Sequence, residues 1–206
     1  MGFKVQVTDH YRYDYWARSG RFVLRMPTRL HETFIARVAE EIVRRLRTIA
    51  GGSDPAADFA RGVHDARSSR LTLDADEDDD GETAPDRHEP DSSFHHSDAQ
   101  YPGVVVEVSY SQKRKDLARL ADAYILGSNG NIRVVVGLDI EYRGTKKATI
   151  SVWRPQYTMD HNGGKEMAAA QVVTDQVSSL CNHTKTLLMS GRCSATMREM
   201  WSQREI

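Results

Sequence analysis

Pro90-Asp91-Ser92-Ser93-Phe94, followed by Tyr101-Pro102-Gly103-Val104-Val105-Val106-Glu107-Val108-Ser109-Tyr110-Ser111-Gln112, is the stretch on which the reading of the fold turns. The valine run is the most strongly strand-forming segment of the first half, and Glu107 stands inside it, sixteen positions after Asp91. In a strand, Val104, Val106 and Val108 share one face, and Val105, Glu107 and Ser109 share the other. Both faces begin apolar, so the strand is expected to be covered on both sides, with Glu107 pointing into something covered. A buried carboxylate costs several kcal/mol unless it is paired or bound to a metal. Taken alone, Asp91 reads as a turn acid after proline and Glu107 as an edge-strand charge. Two such acids on neighbouring strand-like segments are what a divalent cation needs.

Upstream lies the clearest helix. Thr28 is a fair N-cap after Pro27, and Leu30, Phe34, Ile35, Val38, Ile42, Leu46 and Ile49 recur at helical spacing up to Gly51-Gly52. His31 and Glu41 fall on that apolar stripe and Glu32 at its edge. Polar residues so placed are more often hydrogen-bonded structural groups than catalytic ones, a balance that shifts beside a cation site. Before the helix, Phe3 to Val7 and Arg21 to Arg25 read as short strands, with a turn at Ser19-Gly20. Tyr11, Arg12, Tyr13, Tyr15 and Trp16 read as a half-buried edge, with a stacking surface for nucleic acid as the rarer alternative.

Downstream of the helix, residues 53–67 read as weakly structured and Ser69 to Leu73 as a strand. Asp74 to Asp80 carry six acids, a run that stays solvated, and 74–89 is expected to be a flexible acidic loop. It lacks the glycine and terminal glutamate of a calcium-binding loop. After Gln112, the basic segment Lys113-Arg114-Lys115 leads into a second amphipathic helix, with Leu117, Leu120, Ala121, Tyr124 and Ile125 inward, stopped by Gly127 to Gly130. Ile132 to Ile140 is a buried strand and Ala148 to Trp153 another, ended by Pro155. Ala168 to Leu188 suggests a helix, and the tail beyond Gly191 a mobile end. The expectation is a mixed α/β sheet flanked by helices in 1–155, with a helical or mobile extension over 156–206.

Composition narrows the function classes. Hydrophobic residues make up 39% of the 206, which fits a core with solvated extensions. Net charge is -1, and with the six acids set aside the remainder carries about +5, clustered in 37–47 and 113–119. No stretch approaches a membrane span, and no apolar signal core opens the chain, so an intracellular protein, cytoplasmic or nuclear, is expected. Two late cysteines, Cys181 and Cys193, suggest a reducing compartment, and their spacing with His183 fits no zinc pattern. Gln6 breaks a myristoylation pattern.

The order of elements is itself informative: a helix with inward polar residues, a strand bearing Pro-Asp, a strand bearing Glu-x-Ser, then a basic-headed helix. It resembles the PD-(D/E)xK nuclease superfamily, whose fold is restriction-endonuclease-like. More narrowly, "RMPTRLHE" (25–32), "PDSSF" (90–94) and "PGVVVEVSYSQ" (102–112) with "LADAYILGSNGNIRVVVGLDIEY" (120–142) resemble fungal members and a bacterial branch that shares a helix-leading His. The resemblance spans about residues 20–155.

That resemblance implies a divalent-metal-dependent nuclease acting on DNA, with Mg2+ or Mn2+ held by Asp91, Glu107 and the Val108 carbonyl. Glu32 or Glu41 would add a carboxylate from the first helix, with His31 nearby. Hard oxygen ligands suit these ions. The sequence departs from the family at the third motif position, where Ser109 replaces the lysine that stabilises the attacking water. Gln112, matching the fungal "YSQ", and then Lys113, on the inward stripe, are the candidate substitutes, whereas Lys115 points outward. A glutamine there orients water rather than deprotonating it. The alternative is a degenerate nuclease-fold module that binds nucleic acid or protein. Symmetric double-strand cutting would need a homodimer; a membrane partner is not expected.

Overall fold

The protein is described here by a computed structural model covering residues 12–74, 84–110, 114–140, 147–159 and 164–179. In chain order the elements are β1 (Arg12–Trp16), β2 (Arg21–Arg25), α1 (Arg29–Ala50), α2 (Pro55–Arg61), β3 (Val63–Asp65), β4 (Leu71–Leu73) and β5 (Asp86–His88). They continue as β6 (Ser92–His96), β7 (Val104–Tyr110), α3 (Arg114–Gly127), β8 (Val134–Ile140), β9 (Lys147–Met159) and β10 (Lys165–Ser179).

The valine run becomes β7, near the middle of a six-stranded mixed sheet of order β10-β9-β8-β7-β6-β3. It pairs antiparallel with β6, Ser92 opposite Val106, and parallel with β8, Glu107 opposite Gly137 and Ser109 opposite Asp139. A parallel neighbour needs a crossover, and α3 supplies it. Each face of the sheet carries a core. Val104, Val106 and Val108 pack with Ile35, Ala39, Ile42 and Leu46 of α1, while Val105 packs with Leu117, Leu120, Ala121 and Tyr124 of α3. Covered faces on both sides are what the uninterrupted valines require. Glu107 and Ser109 consequently face α3.

The first helix begins where the sequence places it. The Thr28 hydroxyl oxygen accepts from the His31 N–H at 3.3 Å, capping α1 and fixing His31 in its first turn. The early hairpin also forms: β1 and β2 pair from Trp16 opposite Arg21 to Arg12 opposite Arg25, and Gly20 takes φ of 59° at the turn. That hairpin belongs to a second sheet of order β2-β1-β5-β4.

Several expectations are corrected. β1 is an inner strand between β2 and β5, not an edge, and Tyr13 and Asp14 are buried. Residues 53–67 are not weakly structured: Asp54 caps α2 through the Ala57 N–H at 2.8 Å, Pro55 opens the helix, and β3 follows. Part of the expected acidic loop is strand, since Asp86–His88 pairs with Leu71–Leu73. Pro155 does not end β9. Its register partner is Ala169 on β10, and it lies beyond the last β8 pair, Val135 with Trp153, where a missing N–H breaks no ladder on that side. The helix expected from Ala168 is strand as far as Ser179, because long-range pairing with β9 overrides the helical preference of the alanines. Residues 180–188 of that expected helix, the tail, Phe3 to Val7 and most of the acidic run lie outside the described residues. Among the described residues, no helix is long and apolar enough to cross a membrane.

Candidate functional site

Asp91 is placed by proline chemistry and by a backbone clamp. Pro90 restricts the residue before it to extended backbone, so Glu89 leads straight toward β6. The Asp91 carboxylate then turns across to β7, where the Val108 N–H donates to Oδ2 at 2.7 Å. His31 Nε2 lies 3.1 Å from the same oxygen. The other oxygen, Oδ1, faces two guanidinium groups, Arg12 Nη1 and Arg25 Nη1, each at 3.5 Å.

Glu107 is more enclosed, its residue only 2% exposed. Arg25 grips it from both sides, Nη1 donating to Oε2 at 2.8 Å and Nη2 to Oε1 at 3.2 Å. Tyr124 of α3 donates its hydroxyl to Oε1 at 2.6 Å. Arg25 reaches a third acid as well, its Nε donating to Asp14 Oδ2 at 2.6 Å. The other Asp14 oxygen is 3.2 Å from Nδ1 of His88, which is wholly buried between the rings of Trp16 and Tyr124.

The buried charges divide the titrations. Burial pushes Glu107 up to about 8, outweighing the pull of Arg25, and the neighbouring charge of Asp91 adds to the rise. Burial would raise Asp91 too, but the hydrogen bond from His31 and the charge of Arg25 overcome it and hold the carboxyl below its ordinary range. His31 shows the counterpart: burial lowers it, and the bond to Asp91 more than restores it, so it is raised. Arg25, though burial works against its charge, is raised by Glu107 and Asp14. Tyr124 is raised well above the phenol range by burial and by Glu107, so it is a firm donor. The two acids therefore titrate as a coupled pair, Glu107 on the raised side and Asp91 on the lowered side.

Asp14, Asp91 and Glu107 line a cavity of about 160 Å3 whose wall includes Arg12, Arg25, His31 and Ser109, with Leu117 and Arg119 of α3. Trp16 also lines it, and two guanidinium groups approach the Trp16 ring, Arg21 at 4.9 Å and Arg119 at 4.8 Å. Both arginines reach Asp116, at 3.7 and 2.6 Å.

Four of the expected site residues, Asp91, Glu107, Val108 and His31, thus come together. Glu32 stands at the rim, its side chain 42% exposed, paired with Arg12 at 3.1 Å. Glu41 does not join them. Ten residues along α1 is about 15 Å, and Glu41 is held by Arg44 and Arg45 at 2.5 and 3.0 Å. Ser109 donates to Asp139 Oδ1 at 2.9 Å, across the parallel pair. Gln112 and Lys113 lie outside the described residues.

Sequence reasoning missed Arg25, Asp14, Arg12, Tyr124, His88 and Asp139. A signal existed for two of them: Arg25 begins the quoted "RMPTRLHE", and Tyr124 lies on the inward stripe of α3, where spacing alone reads it as apolar.

The donors present suit a small hard cation. Arg25 Nη1 already sits as a positive centre between Glu107 Oε2 and Asp91 Oδ1, a stand-in for such an ion. Among the described residues, no three His, Cys, Asp or Glu side chains gather as a full ligand cage. Magnesium does not require one, since it is commonly held by one or two carboxylates and keeps several waters. Compared with protein-family models, curated proteins and solved structures, the chain finds a match in none of the three.

Proposed function

We propose that the protein is a divalent-metal-dependent nuclease that hydrolyses DNA phosphodiester bonds. The observation that supports it best is the convergence of two buried carboxylates, Asp91 and Glu107, on one cationic nitrogen at an arginine-walled cavity. Asp91 and Glu107 would hold Mg2+ or Mn2+, which when bound polarises the phosphate and lowers the pKa of an attacking water. The chain's own residues do the rest. His31 and the Val108 N–H fix the Asp91 carboxylate in one orientation, and Tyr124 does the same for Glu107. Arg12, Arg21 and Arg119, which line the cavity, would meet phosphate oxygens there. Ser109, tied to Asp139, is not the base, so ordering the attacking water falls to Gln112 or Lys113 ahead of α3. An intracellular setting and a homodimer for paired cuts belong to the same proposal.

The test is cleavage of single- and double-stranded DNA with Mg2+ or Mn2+, comparing wild type with Asp91→Ala and Glu107→Ala. Each substitution is expected to lower the rate about 1000-fold or more, the scale of losing several kcal/mol of metal stabilisation. Equal inactivity of all three proteins would defeat the catalytic reading.

A second reading has its own support. Arg25 already neutralises both acids, and Ser109 stands where the family carries lysine. A nuclease-fold module that binds nucleic acid or protein without cleaving it would keep these features. Calorimetry that detects DNA binding but no heat with Mg2+ or Mn2+ would favour it.

A further inference from the structure

We propose that Arg25 is a built-in competitor of the divalent cation: guanidinium and metal ion contend for the same oxygens of Asp91 and Glu107, and loading the site means displacing the arginine. The inference rests on the metal-dependent reading above and adds a gate to it.

Three observations support the gate. First, Nη1 of Arg25 lies 2.8 Å from Glu107 Oε2 and 3.5 Å from Asp91 Oδ1, so an ion held by Asp91 and Glu107 together would need the volume that this nitrogen fills. Second, the guanidinium is one rigid plane, so an ion that takes the place of its terminal nitrogens must turn the whole group. Its Nε is tied to Asp14 at 2.6 Å, and Asp14 is steadied by His88 at 3.2 Å, itself wedged between two rings. That tie holds the plane against the two acids and makes its displacement an all-or-none contest. Third, Arg25 borders the cavity of about 160 Å3, which gives the displaced nitrogens somewhere to go. Charge makes the contest real. Like charges a few ångströms apart repel strongly where little water screens them. A guanidinium beside a doubly charged ion is therefore a strong deterrent.

The experiment is calorimetric titration of Mn2+ into the full chain, alongside thermal denaturation with and without Mn2+. Wild type is compared with Arg25→Gln and Arg25→Lys, and Asp91→Ala serves as the control that should not bind. Arg25→Gln is expected to bind Mn2+ at least tenfold more tightly than wild type. Its melting temperature should fall below wild type without the ion and rise by more than that of wild type with it. Arg25→Lys keeps the charge but cannot hold Asp14 and both arms of Glu107 at once, so it should also gain affinity. It decides the matter if the glutamine variant does not fold. Wild-type binding with no gain in either variant would overturn the gate and leave the metal site standing. No binding by any of the proteins would overturn both.

Discussion

The two sheets contribute opposite things to one site. The six-stranded sheet brings the acids, Asp91 leading into β6 and Glu107 on β7, embedded in a run of valines. The four-stranded sheet brings Arg12 and Asp14 on β1, Arg25 on β2 and His88 on β5. In the large sheet a polar residue is an exception among apolar neighbours and announces itself. In the small sheet the alternation runs the other way. Arg21, Val23 and Arg25 are half-buried, while Phe22 and Leu24 are 45% and 44% exposed, Leu24 at the cavity wall. A charged residue on a short, polar-looking strand can therefore be as firmly tied to buried partners as one in a valine run.

Breaking the joint between the sheets should have the largest effect. Arg25→Met leaves Asp14, Asp91 and Glu107 buried without their shared guanidinium. It should cost about 3–5 kcal/mol, the range for removing one partner of a buried ion pair. Urea denaturation at neutral pH measures it. The double change Arg25→Met with Glu107→Leu should cost less than the two single changes added together, because it removes both partners of the two-armed pair.

A change of pH sharpens the contrast within the acid pair. Glu107 rises from an ordinary 4.5 to about 8 in the folded protein. Between those values the unfolded chain gives up the proton that the folded one keeps. Stability contributed by this group therefore falls as pH rises through that window and is flat above it. Asp91 is lowered, so its contribution is present above its ordinary value of 3.8 and is lost as pH falls through the folded value. Glu107→Gln should flatten stability between about pH 5 and 8 while leaving the acid limb in place. Urea midpoints across a pH series would show it, and an unchanged slope would break the raised titration of Glu107.

Smaller effects test the supports. Thr28→Ala removes the cap beneath His31 and should cost about 1 kcal/mol. If the cap does position His31, DNA cleavage by this variant should fall further than its stability loss explains. Glu41→Ala should change stability by at most about 1 kcal/mol, since its pairs lie on the helix surface, and should leave cleavage unaffected. A large loss of cleavage there would put Glu41 back beside the acids.

How much of this is legible in the sequence follows the same division. The faces of β7 follow from the alternation of Val104 to Ser109, and Thr28 is readable as a cap because cap chemistry is local. Asp54-Pro55 carries an equally local helix start, masked by the alanine- and glycine-rich stretch around it. Ala168 to Ser179 misleads because alanine prefers helix, and only pairing with β9, which no local signal encodes, makes it strand. Asp14, Arg25 and His88 stay hidden for a related reason. Their meaning lies largely in partners 66 to 82 positions away, and an ion pair of that span leaves no period in the sequence.

The separation between Arg25 and Glu107, 82 positions, also sets an order of events during synthesis. Domains emerge amino-terminal end first at about 5–20 residues per second, so the guanidinium leaves the ribosome roughly 4–16 seconds before the carboxylate it will hold. The whole β1–β2 segment, in which Asp14 comes to lie opposite Val23 and Arg25 opposite Arg12, is synthesised before that carboxylate. The valine strand thus emerges after the cation that will hold its acid. The burial of Glu107 is thereby scheduled after the arrival of its remedy.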